Sequence, residues 1–260
     1  MIMGWRRWVT LGWGFALSVG VAACAAPRDP SLERAVLSAR LAKADAPAEA
    51  APQTEVSSLA SAPATPLKSY SNAEIAAILG AVPGTGSRLI ATFDTERGVI
   101  HCTLDDRAPQ TVANFVALAE GQVTWHAKGK DAVKARLYDG LTFHRVVQNT
   151  VIQTGNPSGA YNDGPGWTIA RELGAADRFQ AAGALAMVDS GDQAHGSQLF
   201  ITVQAAPSFA DRYSAFGHCD APEVVRAIAD APKKAATQGG SPSTPEEPVV
   251  IRSVRVTRGE

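Results

Sequence analysis

A series of short β-rich segments between Arg88 and Arg258 is the feature that most limits what this chain can fold into. Each segment is rich in Val, Ile, Phe and Thr, and Gly, Pro or Asn turns separate it from the next. About eight such segments occur, and they read RLIATF, GVIHCTL, LTFHRVV, TVIQTG, GALAMV, SQLFITV, SAFGH and VVIRSVRV. The sequence has no regular alternation of strand and helix and no Gly-rich phosphate loop. The spacing therefore predicts a mainly β fold, an antiparallel barrel or sandwich.

Three segments carry helical rather than strand periodicity. In DRAPQTVANFVALAEG, Pro109 begins the pattern and Gly121 ends it. The apolar stripe of that segment is Val112, Phe115, Val116 and Leu118. APEVVRAIADA is a second helical pattern, and we expect these two helices to cap the ends of a barrel. SNAEIAAILGAVPG predicts one further short helix, which begins at Ser71 or Asn72 and ends before Pro83.

Residues 1–23 are typical of an export signal, with a pair of arginines, an apolar stretch and small residues in that order. The last four residues of the pattern, Val-Ala-Ala-Cys at 21–24, resemble the lipobox of bacterial lipoproteins. The resemblance implies lipidation of Cys24 and a firm membrane anchor. Ala25 favours the outer membrane, facing the periplasm, if the host is Gram-negative. Two alternatives stay open: cleavage by an ordinary signal peptidase with an incidental Cys, and twin-arginine export.

Composition divides the remaining chain into three parts. Residues 24–68 are rich in Ala, Pro, Ser and Thr and lack aromatic residues, which predicts a flexible, lipid-anchored linker. Residues 69–86 hold the short helix and a connector, and residues 87–258 form the globular domain. A domain of that length can bury one sizeable hydrophobic core.

Charge and histidine spacing exclude several classes of function. The formal net charge of the 260 residues is -1, which argues against nucleic acid as a partner. The five histidines are scattered without the spacing of metal ligands, so we expect neither a metal nor a cofactor. Asp105 and Asp106 are interpreted as a solvated turn.

Three cysteines are present. If Cys24 is lipidated, Cys102 and Cys219 remain as an even pair in an oxidising compartment. A disulfide and two buried thiols are both compatible with the sequence, because the separation of the Cα atoms is not known at this point.

Four segments, in order along the chain, carry a family resemblance: LDDRAPQTVANFVALAEG, LYDGLTFHRVV with VIQTGNPSG, GPGWTI, and GALAMVDSGDQAHGSQLFIT with FADRYSAFG. With these segments the chain resembles the cyclophilins, a family of peptidyl-prolyl cis-trans isomerases, from about Arg88 to Arg258. The resemblance implies a closed eight-stranded antiparallel barrel capped by two helices. It also implies rotation of X-Pro bonds without a metal, a cofactor or a covalent intermediate.

The resemblance assigns roles to five residues of these motifs. Arg145 matches the catalytic Arg, whose guanidinium donates toward the prolyl nitrogen of the twisted amide. Gln153 matches the pocket amide that holds the substrate backbone, and Phe200 matches the main aromatic residue of the proline socket. Gln198 matches a second polar contact, and Tyr213 lies at the position of a pocket-rim residue.

Several substrate-site positions depart from the family pattern. The departures are Thr150 for Phe, Val151 for Met, Val188 and Asp189 for an Ala-Asn pair, Ser208 for Trp, and Phe209 for Leu. We expect Thr150 to leave one wall of the socket smaller and wetter. Losing that aromatic contact costs about 1–3 kcal/mol of binding, or roughly 10- to 100-fold in efficiency.

Together these observations predict a monomeric peptidyl-prolyl isomerase in the cell envelope, acting on proline-containing segments of exported proteins. The alternative is a weakly active or inactive cyclophilin-like module that binds such segments. Thr150 is the residue that keeps this alternative open, and a measurement of turnover separates the two.

Overall fold

The structure is a computed structural model, and it describes residues 65–158, 163–235 and 242–260. The predicted signal peptide, Cys24 and nearly all of the predicted linker lie outside the described residues. Within the described part, no helix has both the length and the apolar character needed to cross a membrane.

The three predicted helices are all present: α1 at Asn72–Gly80, α2 at Pro109–Ala119 and α3 at Pro222–Ala229. Ser71 starts α1 through a capping box with Glu74, in which each side chain bonds the backbone N–H of the other residue. Pro begins both α2 and α3, where its missing N–H costs no helical hydrogen bond. These local signals explain why sequence periodicity located the helices.

Among the described residues ten strands form one sheet, two more than the eight expected. They are β1 (Leu67–Lys68), β2 (Arg88–Thr95), β3 (Gly98–Leu104), β4 (Arg145–Val147), β5 (Val151–Thr154), β6 (Thr168–Ile169), β7 (Ala184–Ser190), β8 (Gln193–Thr202), β9 (Ala215–Cys219) and β10 (Ile251–Gly259). The additional strands, β1 and β6, have two residues each, too few to produce a period in the sequence.

The strand order is β1-β6-β8-β7-β9-β3-β2-β10, and β4 and β5 branch from β8 through the β5–β8 pair. All pairs are antiparallel except β1–β6. This path of paired strands does not close within the described residues, so the eight-stranded closed barrel is not what the pairing shows. Backbone bonds connect the segment before β4 with the start of β10 and the residues just before it: Phe143 N–H donates to Val249 O (3.1 Å) and Ile251 N–H to Leu141 O (2.8 Å).

Strands β4, β5 and β8 have one face that packs on the hydrophobic core and an opposite face that carries the predicted site residues. Val146, Ile152, Leu199 and Ile201 are fully buried in the main hydrophobic core. Side chains alternate between the two faces of a strand. The residues between these core positions, Arg145, Gln153, Gln198 and Phe200, therefore lie on the opposite face.

The segment before the predicted domain is part of the folded unit. Leu67 and Lys68, predicted as the end of the linker, pair in parallel with β6. Tyr70 is buried, its N–H donates to Gln110 Oε1 (2.8 Å), and its hydroxyl donates to Asn114 Oδ1 (3.3 Å). Folded structure thus begins before residue 69.

Asp105 corrects a prediction, because it is buried rather than solvated. Its carboxylate accepts bonds from Arg107 Nε (2.9 Å) and Arg178 Nε (2.7 Å). The hydrogen bond from Arg107, together with that from Arg178, holds the pKa of Asp105 well below its usual range. The residue joins the loop before α2 to the 3₁₀ helix at Ala176–Gln180.

Cys102 and Cys219 form a disulfide across a strand pair. The two residues are Cα partners on β3 and β9, with Cα atoms 3.9 Å apart, and their Sγ atoms are bonded. The pairing of these strands brings the two side chains together. Of the two alternatives that the sequence left open, the structure has the disulfide.

Candidate active site

Arg145, Gln153 and Phe200 lie side by side on three neighbouring strands. The Cα partner of Arg145 on β5 is Gln153, and the partner of Gln153 on β8 is Phe200. Paired residues of antiparallel strands project to the same face. The three residues predicted as catalytic therefore form one row, with a cation, an amide and an aromatic ring in that order.

Hydrogen bonds orient the polar part of this row. Arg145 Nη1 donates to Gln153 Oε1 (3.3 Å), and Gln153 Nε2 donates to Gln198 Oε1 (3.0 Å). Gln198 Nε2 in turn donates to the carbonyl oxygen of Asp163 (3.0 Å). Both glutamines are buried, whereas Arg145 is half-buried. The bond to Gln153 uses one of the five N–H donors of the guanidinium, so the cation is held in place with donors to spare.

Phe200 is the centre of an aromatic cluster. Its ring centroid lies 5.0 Å from that of Tyr213 and 5.9 Å from that of Phe209, both edge to face. The ring of Phe179 stacks at 6.4 Å. Each favourable aromatic pair adds about 0.5–1.5 kcal/mol beyond the burial of its area. The arrangement is therefore a rigid apolar wall beside the polar row.

The predicted residues Val151 and Val188 belong to the same apolar cluster as Phe200. Phe209 and Phe179 both contribute rings to it, and their centroids are 6.0 Å apart. The structure thus places two rings next to Phe200 in addition to Tyr213. The aromatic content of the site is higher than Thr150 alone would predict.

Thr150 lies in the tight turn between β4 and β5. Its N–H donates to Val147 O (3.0 Å) and its hydroxyl donates to Gln148 O (3.2 Å). Asn149, with φ of 56°, adopts the left-handed conformation that this turn requires. The Thr150 side chain is therefore hydrogen-bonded within its own turn, next to Val151.

The Asp189 carboxylate forms ion pairs with two arginines. Its carboxylate accepts a hydrogen bond from Arg212 Nε and lies 3.4 Å from Arg171 Nη2. The Arg212 guanidinium also lies 5.2 Å from the centroid of the Tyr213 ring. This side chain therefore ties β7 to the segment that carries Tyr213. A contact with substrate at Val188 and Asp189 would come from the backbone, as the resemblance implies.

Two partly buried histidines, His144 and His195, lie near the polar residues of the row. Burial lowers the pKa of His144 to about 4, and the neighbouring charge of Arg145 acts in the same direction. Burial likewise lowers the pKa of His195 to about 4, against the opposing effect of Asp163. Both rings are neutral at pH 7, so the guanidinium of Arg145 supplies the positive charge of the row.

The sequence did not reveal three residues that shape the site: Phe179, Asp163 and His195. Phe179 lies in a 3₁₀ helix whose sequence, ADRFQ, has no strand or helix periodicity. The Asp163 contact uses a backbone oxygen, which any residue could provide. His195 was visible in the sequence only as one of five histidines without metal-ligand spacing.

The fold and the row of Arg145, Gln153 and Phe200 define a cyclophilin-class protein. The family model for the cyclophilin type peptidyl-prolyl cis-trans isomerase/CLD matches residues 90–256. The chain belongs to this family of isomerases.

Named relatives agree. Peptidyl-prolyl cis-trans isomerase A of Mycobacterium tuberculosis is 38% identical over 169 residues, which span 64% of this chain and 91% of the relative. Peptidyl-prolyl cis-trans isomerase B of Streptomyces anulatus is 38% identical over 174 residues, spanning 65% and 97%. These relatives confirm that the chain is an enzyme of the isomerase class.

A solved structure shares the fold. The crystal structure of a cyclophilin type peptidyl-prolyl cis-trans isomerase of Cryptosporidium parvum has a TM-score of 0.55 and 20% sequence identity, covering 67% of this chain and 100% of its own. A second structure of that protein, in the presence of the dipeptide Ala-Pro, has a TM-score of 0.53, covering 65% and 99%.

Proposed function

We propose that Arg145 drives the isomerisation by donating a hydrogen bond to the prolyl nitrogen of a twisted X-Pro amide. The X-Pro bond rotates slowly because its C–N bond has partial double-bond character, with a barrier of about 18–20 kcal/mol. At the top of the barrier the nitrogen has regained its lone pair. A fixed cationic donor at that atom stabilises the transition state more than either planar isomer, which is the requirement for catalysis.

The observation that carries this proposal is the register that puts Arg145, Gln153 and Phe200 on one face of three adjacent strands. With the proline ring against Phe200, the next polar groups along the row are Gln153 and then the guanidinium. The substrate backbone meets Gln153 and Gln198, whose amides are already oriented by their shared bond of 3.0 Å. No covalent bond forms, and no proton has to leave the enzyme.

The remaining predicted positions frame the peptide. Phe209 and Tyr213 extend the apolar wall around Phe200, and Val151, Val188 and Thr150 line the side next to β5. The Ala-Pro dipeptide named for the Cryptosporidium parvum structure supports a proline-containing peptide as the ligand of this surface.

We further propose that the clients are exported proteins and that the chain is anchored through lipidated Cys24. The signal-like residues 1–23 and the lipobox-like Val-Ala-Ala-Cys support this location. The Cys102–Cys219 disulfide supports it independently, since disulfides persist in oxidising compartments. The full-length chain expressed in a Gram-negative host should fractionate with membranes, and Cys24→Ser should move it to the soluble periplasmic fraction. An unaltered distribution in that variant would contradict the anchor.

The test of the catalytic role is the isomerisation rate of a proline tetrapeptide, measured by exchange NMR with the full chain. Arg145→Ala should lower kcat/KM by about 10²- to 10³-fold, the usual effect of removing one transition-state donor. Arg252→Ala is the matched control, because Arg252 is an exposed arginine on β10, paired with Asp94. Equal rates for wild type and Arg145→Ala would overturn the role of Arg145.

The binding-module alternative rests on Thr150, and the same experiment decides it. A module would broaden the peptide resonances through binding but leave the cis-trans exchange rate at its uncatalysed value. Accelerated exchange by the wild type excludes this alternative.

A further inference from the structure

The pairing of β8 with β7 is irregular on the C-terminal side of Ala194, where His195 lies. Between Ala194, which pairs with Asp189, and Leu199, which pairs with Met187, β8 has four residues and β7 has one. In this stretch the ring nitrogen Nδ1 of His195 accepts two backbone bonds, from Ser197 N–H (3.2 Å) and Gln198 N–H (3.0 Å). The imidazole thus satisfies backbone donors where β7 offers no partner.

This pattern settles the tautomer of the ring. A neutral imidazole that accepts at Nδ1 carries its proton on Nε2. His195 Nε2 lies 3.4 Å from Gln198 Nε2, and because both atoms are then donors this approach is packing rather than a hydrogen bond. The ring therefore acts on Gln198 through the backbone N–H and through its volume.

The backbone at Asp163 and Gly164 lies against Gln198 and against the His195 ring. A Cβ atom added at Gly164 would clash with His195 Cε1, so only Gly allows this approach. The preceding residue, Asp163, accepts the bond from Gln198 Nε2. Gln198 is thus bonded through its N–H to His195 and through its Nε2 to Asp163, and its Oε1 accepts a bond from Gln153.

We propose that His195 is a positioning residue, which fixes the backbone of Gln198 so that its side chain enters the row that binds the peptide. This inference rests on the proposed role of Gln198 in binding substrate. This role requires a side chain at position 195 that accepts hydrogen bonds from the backbone N–H groups two and three residues later. Asn satisfies the same need, since its side-chain oxygen commonly accepts from the N–H two residues on.

The test compares His195→Ala with His195→Asn in the full chain, using the proline tetrapeptide. His195→Ala should raise KM by about ten-fold, with a smaller change in kcat. The KM of His195→Asn should be close to that of the wild type. His101→Ala is the matched control, because His101 is exposed on β3 and bonds Thr92. The acceptor role is overturned if both His195 variants have the wild-type urea midpoint of unfolding and the same raised KM.

A further variant separates this inference from the function beneath it. Gln198→Ala should raise KM at least as much as His195→Ala, and the double variant should be no worse than Gln198→Ala alone. An unchanged KM in Gln198→Ala would refute the substrate role of Gln198. A raised KM in Gln198→Ala with a normal KM in His195→Ala would refute the positioning role alone. If His195→Ala does not fold, His195→Gln replaces it, since its acceptor lies one bond too far along the side chain.

Discussion

Arg145 and Gln153 lie directly opposite each other on β4 and β5, and the guanidinium donates to the amide oxygen across the strand pair at 3.3 Å. The same amide donates to Gln198 on the next strand. Gln153 therefore orients the Arg145 guanidinium and is itself oriented by its hydrogen bond to Gln198. A site built in this way loses little free energy in reorganising when the amide twists.

Replacing Arg145 with Lys should therefore not preserve activity, although the charge is retained. Lys presents a compact ammonium on a flexible stem and lacks the planar fork that reaches both Gln153 and a substrate nitrogen. We expect kcat/KM to fall by about 10- to 100-fold, corresponding to one lost charge-assisted bond. Exchange NMR measures it, and full activity in Arg145→Lys would mean that charge alone suffices.

Thr150→Phe should improve the socket. The Thr150 hydroxyl bonds only its own turn at Gln148 among the described residues, and Val151 next to it already packs in the cluster of Phe200. One added aromatic contact should lower KM by about 2- to 10-fold. Thr150→Val is the control for losing the hydroxyl alone. A higher KM in Thr150→Phe would show that the ring does not fit beside Val151.

Acid should destabilise the protein, because two partly buried histidines have lowered pKa values in the folded state. Burial lowers the pKa of His144 and of His195 from the ordinary 6.5 to about 4. Below about pH 6.5 these histidines bind protons in the unfolded chain but stay neutral in the folded chain. The free energy of unfolding therefore falls as pH drops toward 4. Urea midpoints across this range measure the loss. His195→Asn should make the loss of stability between pH 6.5 and pH 4 smaller than in the wild type. An equal loss in this variant would refute the contribution of His195.

Asp105→Asn should destabilise the fold by about 1.5–3 kcal/mol at pH 7. Its carboxylate is buried and bonds both Arg107 and Arg178, which lowers its pKa. That contribution is present above about pH 4 and is lost as pH falls through the lowered pKa, so the gap between variant and wild type should narrow in acid. Chemical unfolding measures it. Asp106→Asn, at the exposed neighbour, should match the wild type, and equal destabilisation by both would refute the ion-pair account.

The Cys102–Cys219 disulfide should stabilise the fold by about 2–5 kcal/mol, because it joins residues 117 apart in sequence. Dithiothreitol should therefore lower the urea midpoint of the wild type toward that of the Cys102→Ser/Cys219→Ser double variant. The double variant itself should not respond to dithiothreitol. A wild type that is equally stable with and without reductant would contradict this prediction.

Sequence patterns predicted most of the architecture because most elements carry local signals. The capping box at Ser71 and the Pro residues at the starts of α2 and α3 mark the helices. The longer strands have enough alternating residues to show a period. The two-residue strands β1 and β6 do not, since each is defined by its pairing with a distant partner.

Long-range contacts also explain the errors at individual residues. The sequence predicted a solvated Asp105 because its partner Arg178 is 73 positions away, and no local pattern indicates that the two residues meet. Phe179 joins the aromatic cluster through a 3₁₀ helix with no periodicity of its own. Motif resemblance, by contrast, located Arg145, Gln153 and Phe200 together, because their register follows from the β4–β5 turn and the β5–β8 pairing.

The parallel contact of Leu67 and Lys68 with β6 makes the start of the folded unit a point of mechanical attachment. Tension that reaches the protein along the preceding chain acts first on this short pairing and on the buried Tyr70, which is bonded to α2. Strand β6 also pairs with β8 at Ala194 and His195, and Asn114 of α2 donates to the carbonyl oxygen of Gly196 on β8. A load carried by the N-terminal segment is therefore passed directly to the strand that carries Gln198 and Phe200.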